Sequence, residues 1–181
     1  MEPIWVIGLM SGTSLDGIDA AYLKTDGVKI ETFGPGFTFP YSHTFRKELF
    51  DLLQNPFSFN KKTEETLTDL HIQAVQILIK ETGILPELIG FHGQTIFHRP
   101  RTEREKARTI QIGDGKSMAK HLKTPVVYDF RQNDIAYGGE GAPLVPIFHK
   151  ALAQNLKKSV AFLNLGGVAN ITLITDDGLY A

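Results

Sequence analysis

The first forty residues hold three strand-length segments joined by two tight turns, and this opening constrains the fold more than any other feature. Ile4–Met10 is a continuous apolar run, as expected of a strand covered on both faces. Ser11–Gly17 is rich in Gly, Ser and Thr and reads as a turn into a second strand, Ile18–Thr25. Asp26-Gly27 is a strong hairpin signal before a third strand, Val28–Phe39. An antiparallel β-meander at the start excludes the β–α–β opening of a dinucleotide-binding Rossmann domain.

Two helices are predicted next. In the first, Phe45, Leu49, Leu52 and Leu53 recur at helical spacing, with Ser42 placed to cap. The second runs from about Glu64 to Thr82, with Thr63 as its cap and Gly83 at its end. The second half alternates faster: a strand over Leu88–His92, extended by Thr95–His98 into a hairpin, a basic loop over Arg99–Arg108, and a strand over Thr109–Ile112. A short helix over Lys116–Leu122 capped by Asp114 leads to a strand over Pro125–Asp129. A Gly/Pro loop, Gly138–Pro146, then precedes a helix over Ile147–Leu156, and Gly166-Gly167 joins strands Val160–Leu165 and Asn170–Thr175. The expected class is mixed α/β around one sheet.

Charge and composition narrow the chemistry. Nineteen Lys plus Arg against twenty Asp plus Glu leave a net charge of −1, which gives no long-range field for nucleic acid or anionic lipid. The absence of cysteine removes disulfides, thiolate nucleophiles and thiolate-bound metals. Apolar runs such as Pro3–Met10 are far shorter than the ~20 residues of a membrane span, and no secretory leader is read at the N-terminus. The expectation is a cytoplasmic protein with a local site, binding neither nucleic acid nor membrane.

Four segments carry candidate chemistry. Gly12-Thr13-Ser14-Leu15-Asp16-Gly17-Ile18-Asp19 combines glycines that let backbone approach an anion, hydroxyl donors, and two carboxylates, Asp16 and Asp19, able to hold Mg²⁺ directly or through water. The rival reading is an ordinary polar turn. The segment is neither a Walker loop nor a nucleophile elbow. His92 and Gln94, in Gly90-Phe91-His92-Gly93-Gln94-Thr95, end a buried strand, where the histidine is either an acid–base or ligand-binding group or a satisfied structural residue. Asp129, Arg131 and Asp134 follow another strand end and suit a polyhydroxylated ligand, the alternative being an Arg131 salt bridge to Asp129 or Asp134. Gly166-Gly167 makes the fourth, a second glycine turn.

In order and spacing, GLMSGTSLDGIDAA, GFHGQTIFH, TIQIGDG, DFRQNDIAYGGEGAPLVPIFH and FLNLGGVANIT resemble the anhydro-N-acetylmuramic acid kinases nearly end to end. The resemblance implies an actin/hexokinase-like (ribonuclease H-like) α/β fold, a mixed sheet with an antiparallel meander and flanking helices, in a two-domain kinase. Residues 1–181 would be its N-terminal domain, with the second domain outside this chain. It implies ATP and Mg²⁺, with phosphates on Gly12–Asp19, and a small sugar substrate, 1,6-anhydro-N-acetylmuramic acid. That sugar is opened by water and phosphorylated on O6, in murein recycling. His92, Gln94, Asp129, Arg131 and Asp134 become sugar-side candidates, and a homodimer is allowed for the full-length enzyme. One departure matters: the family's Phe-Asp-x-Gly-Pro-Gly-Asn segment, which holds the general-base aspartate, is absent and expected just after Ala181. No catalytic base is therefore named in this chain. Two rival classes stand beside this reading: a non-catalytic sugar- or nucleotide-binding module, and a metal-dependent hydrolase using His92, His98 and Asp129.

Overall fold

The computed structural model of the chain describes residues 1–165 and 169–181. The Gly166-Gly167 turn lies outside the described residues. β1 (Ile4–Ser11), β2 (Gly17–Thr25) and β3 (Ile30–Pro40) form the expected antiparallel meander. β4 (Leu88–Arg99) runs parallel to β1, β5 (Arg108–Ile112) folds back on its second half, and β6 (Val126–Tyr128) runs parallel to its first half. The sheet order is β3-β2-β1-β4-β5, with β6 also on β4. This is the mixed sheet of the actin/hexokinase-like class.

One face of that sheet carries the core. Ile7 and Leu9 of β1, Ile18, Ala20 and Tyr22 of β2, and Ile89 and Phe91 of β4 alternate inward, as the two-residue period of a strand requires. They meet α1 (His43–Gln54), α2 (Lys61–Thr82) and α3 (Gly115–Leu122) through Phe45, Leu49, Leu67, Val75, Leu78 and Met118. Ser42 accepts a hydrogen bond from the Phe45 amide and Asp114 one from the Ser117 amide, so both expected caps are present. The α2 cap differs. Asn60 receives the Thr63 amide, so α2 starts three residues early, while Thr63 lies buried and donates to Glu48.

Other departures have simple causes. The expected break in β4 is a bulge, not a turn: Leu9 pairs with Phe91 and Ser11 with Gln94, so His92 and Gly93 together stand opposite Met10. Gly93 takes the positive φ, 65°, that this geometry demands. The polar run after β6 is helical, α4 (Phe130–Ala136), and α5 (Pro146–Leu152) is shorter than expected. β7 (Val160–Leu165), β8 (Ala169–Ile174) and a short β9 (Leu179–Tyr180) make a separate antiparallel sheet, so the described residues contain two sheets instead of one.

Candidate active site

β1, β4 and β6 are mutually parallel in their paired stretches, so their C-terminal ends open at one edge of the sheet, where α/β proteins gather ligands. The β1–β2 turn, the β4 bulge and the β6–α4 junction all lie there. Along one register row, Thr38 of β3 pairs with Asp19 of β2, Asp19 with Met10 of β1, and Met10 faces His92 and Gly93 of β4. At one strand spacing per step, Asp19 and the bulge are about 10 Å apart.

The β1–β2 turn is held by its backbone. The Leu15 amide donates to the Gly12 carbonyl at 3.2 Å, and the Tyr41 amide to the Asp16 carbonyl at 3.2 Å. Leu15 adopts φ 56° with its side chain buried, and Ile18 is buried as well, so both contribute only backbone to the turn's outer surface. Thr13, Ser14 and Asp16 are exposed. The Ser14 hydroxyl donates to Asp16 Oδ1 at 2.7 Å and is the main reason that carboxyl sits below its usual range. Beneath the turn, Tyr41 donates to Ser11 Oγ (2.8 Å) and Ser11 to Gln94 Oε1 (2.6 Å). Burial pushes the Tyr41 hydroxyl up to about 12, so it remains a donor.

Basic groups from α1 complete this corner, and the sequence reading missed them. Arg46 Nη2 donates to the Ser14 carbonyl at 3.2 Å. A cleft of about 450 Å³ is lined by Thr13, Ser14, His43, Arg46 and Lys47, with Leu15 and Phe50 as its apolar part. The signal was available: β3 ends beside Gly17 and Ser42 caps α1 two residues later, so the first turns of α1 must pass the turn. Turning the Ser14 carbonyl toward Arg46 takes one acceptor off the face of the turn, which suits an anion site.

The donor set fits Mg²⁺ in one way only. Asp16 and Asp19 are exposed carboxylates at the turn and at the start of β2, and Asp19 accepts from Thr38 Oγ1 at 2.5 Å. Among the described residues no group of three or more His, Asp or Glu side chains gathers to cage a metal. One or two carboxylates with waters and phosphate oxygens is the coordination Mg²⁺ favours. His92, His98 and Asp129 form no such group either, which removes the geometric basis of the hydrolase reading.

The second cluster lies at the bulge and the β6–α4 junction. His92 Nδ1 donates to the Gly93 carbonyl at 3.0 Å, leaving Nε2 to accept from Arg131 Nη2 at 3.3 Å. Burial, with the Arg131 charge adding to it, holds this imidazole below its usual range, hence neutral near pH 7. Asp129 adopts φ 54° at the start of α4, makes no capping hydrogen bond, and is raised above its ordinary value by burial. No Arg131–Asp129 or Arg131–Asp134 ion pair exists, so the structural alternative for Arg131 fails. Asp134 Oδ2 instead accepts the Gly141 amide at 2.7 Å and braces the glycine loop. Gln94 is fully buried, tied to Ser11 and to the Thr95 carbonyl, and underlies the turn without a free face for a ligand.

A family model described as anhydro-N-acetylmuramic acid kinase matches residues 4–179. The chain is similar to curated proteins of that name from Gluconobacter oxydans (47% identical, 94% of this chain and 48% of the relative) and Rhodospirillum rubrum (45%, 94% and 46%). A third, from Paramagnetospirillum magneticum, is 48% identical over 95% of this chain and 48% of its own length. The chain thus spans about half the length of the curated relatives it matches.

Proposed function

This chain belongs to the anhydro-N-acetylmuramic acid kinase family, and on that premise we propose that it forms the N-terminal half of an ATP-dependent kinase. The proposed enzyme opens 1,6-anhydro-N-acetylmuramic acid with water and phosphorylates its O6, giving N-acetylmuramic acid 6-phosphate for murein recycling. The supporting observation is the row across the sheet edge. It sets Asp19, beside a turn of amides and hydroxyls, about 10 Å from the β4 bulge, where a neutral histidine contacts an arginine.

In this reading the Gly12–Asp19 turn receives the ATP phosphates. Backbone amides and the Thr13 hydroxyl offset charge on the transferring group, the Ser14 hydroxyl being donated to Asp16, and the α1 cations add to the field. Asp16 and Asp19 would hold Mg²⁺, largely through its water; bound there, the ion would neutralise phosphate charge. His92, Asp129 and Arg131 orient the sugar, which places its oxygen near the phosphates without solvent reorganisation. The base that activates water is assigned outside this chain. The reading carries with it a cytoplasmic enzyme with small-molecule partners and, for the longer form, a homodimer.

Incubation with ATP, Mg²⁺ and the anhydro sugar, read by mass spectrometry, tests it. A form extended to the relatives' length is expected to yield the 6-phosphate, and residues 1–181 alone to yield none. Turnover by the 181-residue chain would overturn the placement of the base, and failure of the extended form would overturn the proposed reaction.

A further inference from the structure

Ile4–Met10 reads as a strand covered on both faces, yet β1 is covered on one. Ile7 and Leu9 enter the core, whereas Gly8 and Met10 are exposed on the other side. β1, β4 and β6 run parallel, and parallel strands inside a sheet are normally buried on both faces. The open face has not become polar in compensation. A groove of about 520 Å³ lies along it, and none of the described residues that line it is charged. Phe33, Val127 and Phe148 of its lining are exposed. Such a face is made to be covered.

The shape selects what covers it. Phe33 rises from β3 on one side, and the Phe130 ring lies over Gly90 of β4 on the other. Those strands are three spacings apart, about 14 Å, which is room for one helix of about 10–12 Å diameter. The floor between them is bare: a Cβ on Gly8 would meet nothing within 4 Å. A second copy would bring the same concave face, and two concave faces enclose a void. Its helices α1 to α3 already turn their apolar residues into their own core. The chain spans about half the length of the relatives it matches, which leaves as much chain again to supply a helix.

Resting on the reading of this chain as an N-terminal half, we infer that the groove is the seat of an amphipathic helix from the half that follows residue 181. That helix lies between Phe33 and Phe130 with its apolar side on Val6, Gly8 and Gly90. It gives β1 the second cover that its sequence calls for.

Thiol labelling tests this, because the chain holds no cysteine. Val127→Cys probes the groove, and Asp69→Cys, exposed on α2 across the sheet, gives the reference rate. Both are made in residues 1–181 and in the form extended to the relatives' length, with labelling at each site read by peptide mass. Relative to position 69, position 127 is expected to react roughly tenfold or more slower in the extended form than in the 181-residue chain, at every protein concentration. Equal rates in the two forms would overturn the inference. Protection of the extended form that disappears on dilution would overturn it too, by giving the groove to a second copy.

Gly8→Leu supplies an independent readout by thermal melt. The 181-residue chain has space for the new side chain and is expected to melt within about 2 °C of wild type, while the extended form melts several degrees lower. An equal shift in both forms would contradict the inference. The 6-phosphate assay on the same extended samples separates the two readings. Turnover with position 127 unprotected removes the helix and leaves the kinase; protection without turnover leaves the helix and removes the kinase.

Discussion

Gly17 and Gly12 flank the same turn and are required for different reasons. At Gly17 a Cβ would run into the Phe39 carbonyl and lie 2.9 Å from Pro40 Cα, because β2 starts against the end of β3. At Gly12 the nearest atom to a Cβ is Ser14 Oγ at 3.5 Å, an ordinary contact. Gly17→Ala is therefore expected to destabilise the chain by about 1–3 kcal/mol, as overpacking does, with a lower urea midpoint. Gly12→Ala is expected to leave the midpoint nearly unchanged while weakening ATP binding, because its methyl group stands where phosphate would approach the backbone. Equal effects of the two on stability would contradict this division. The sequence marked both glycines but not Leu15. That residue carries the left-handed backbone of the turn because its side chain is needed in the core, a tertiary demand with no local signature.

Among the elements, the strands and capped helices were legible because period and cap chemistry are local. The meander followed from Ile4–Met10 and Asp26-Gly27, and α1 and α3 from Ser42 and Asp114. Reading Thr63 as the α2 cap failed because Asn60, three residues earlier, offers the same chemistry. α4 was missed because the seven residues of Phe130–Ala136 make only about two turns, too short for a periodic stripe. The packing of α2 carries a pH response. His71, fully buried, donates through Nδ1 to the Leu67 carbonyl and meets Phe91 edge-on, and burial lowers it to about 4 from an ordinary 6.5. Between those values the unfolded chain binds the proton that the folded chain refuses. Stability is thus complete above about pH 6.5 and falls as pH drops toward 4, by on the order of 3 kcal/mol. His92 and His98, also lowered, add in the same direction. Urea unfolding at pH 7 and at pH 4.5 should show this loss, and His71→Leu should shrink it. An unchanged difference in that variant would place the titration elsewhere.

At the scale of the whole molecule, helices α1 to α3 cover one face of the larger sheet and leave much of the other open. Gly36, Ala21, Gly8, Gly90 and Val127 align at one register across five strands, and a groove of about 520 Å³ runs there between Leu23, Phe33, Phe130 and Phe148. Phe33 is 64% exposed and Val127 48%, an apolar surface of the kind that associates in water. The chain is expected to show concentration-dependent association in sedimentation velocity, and a single monomeric species across the range would contradict that. The second sheet was not legible as separate, because alternation reveals strands but not which sheet they join. The candidate site was legible as motifs and illegible as a place. His92, Asp129 and Arg131 meet only because β1, β4 and β6 are parallel, a non-local pairing.

The central claim is that the turn between β1 and β2 grips the phosphates of ATP. A crystal structure of the chain with a non-hydrolysable ATP analogue and Mg²⁺ tests it most directly. The account predicts phosphate oxygens within hydrogen-bonding distance of the amides and hydroxyls between Gly12 and Asp19. Phosphates bound elsewhere, with that turn facing open solvent, would contradict it.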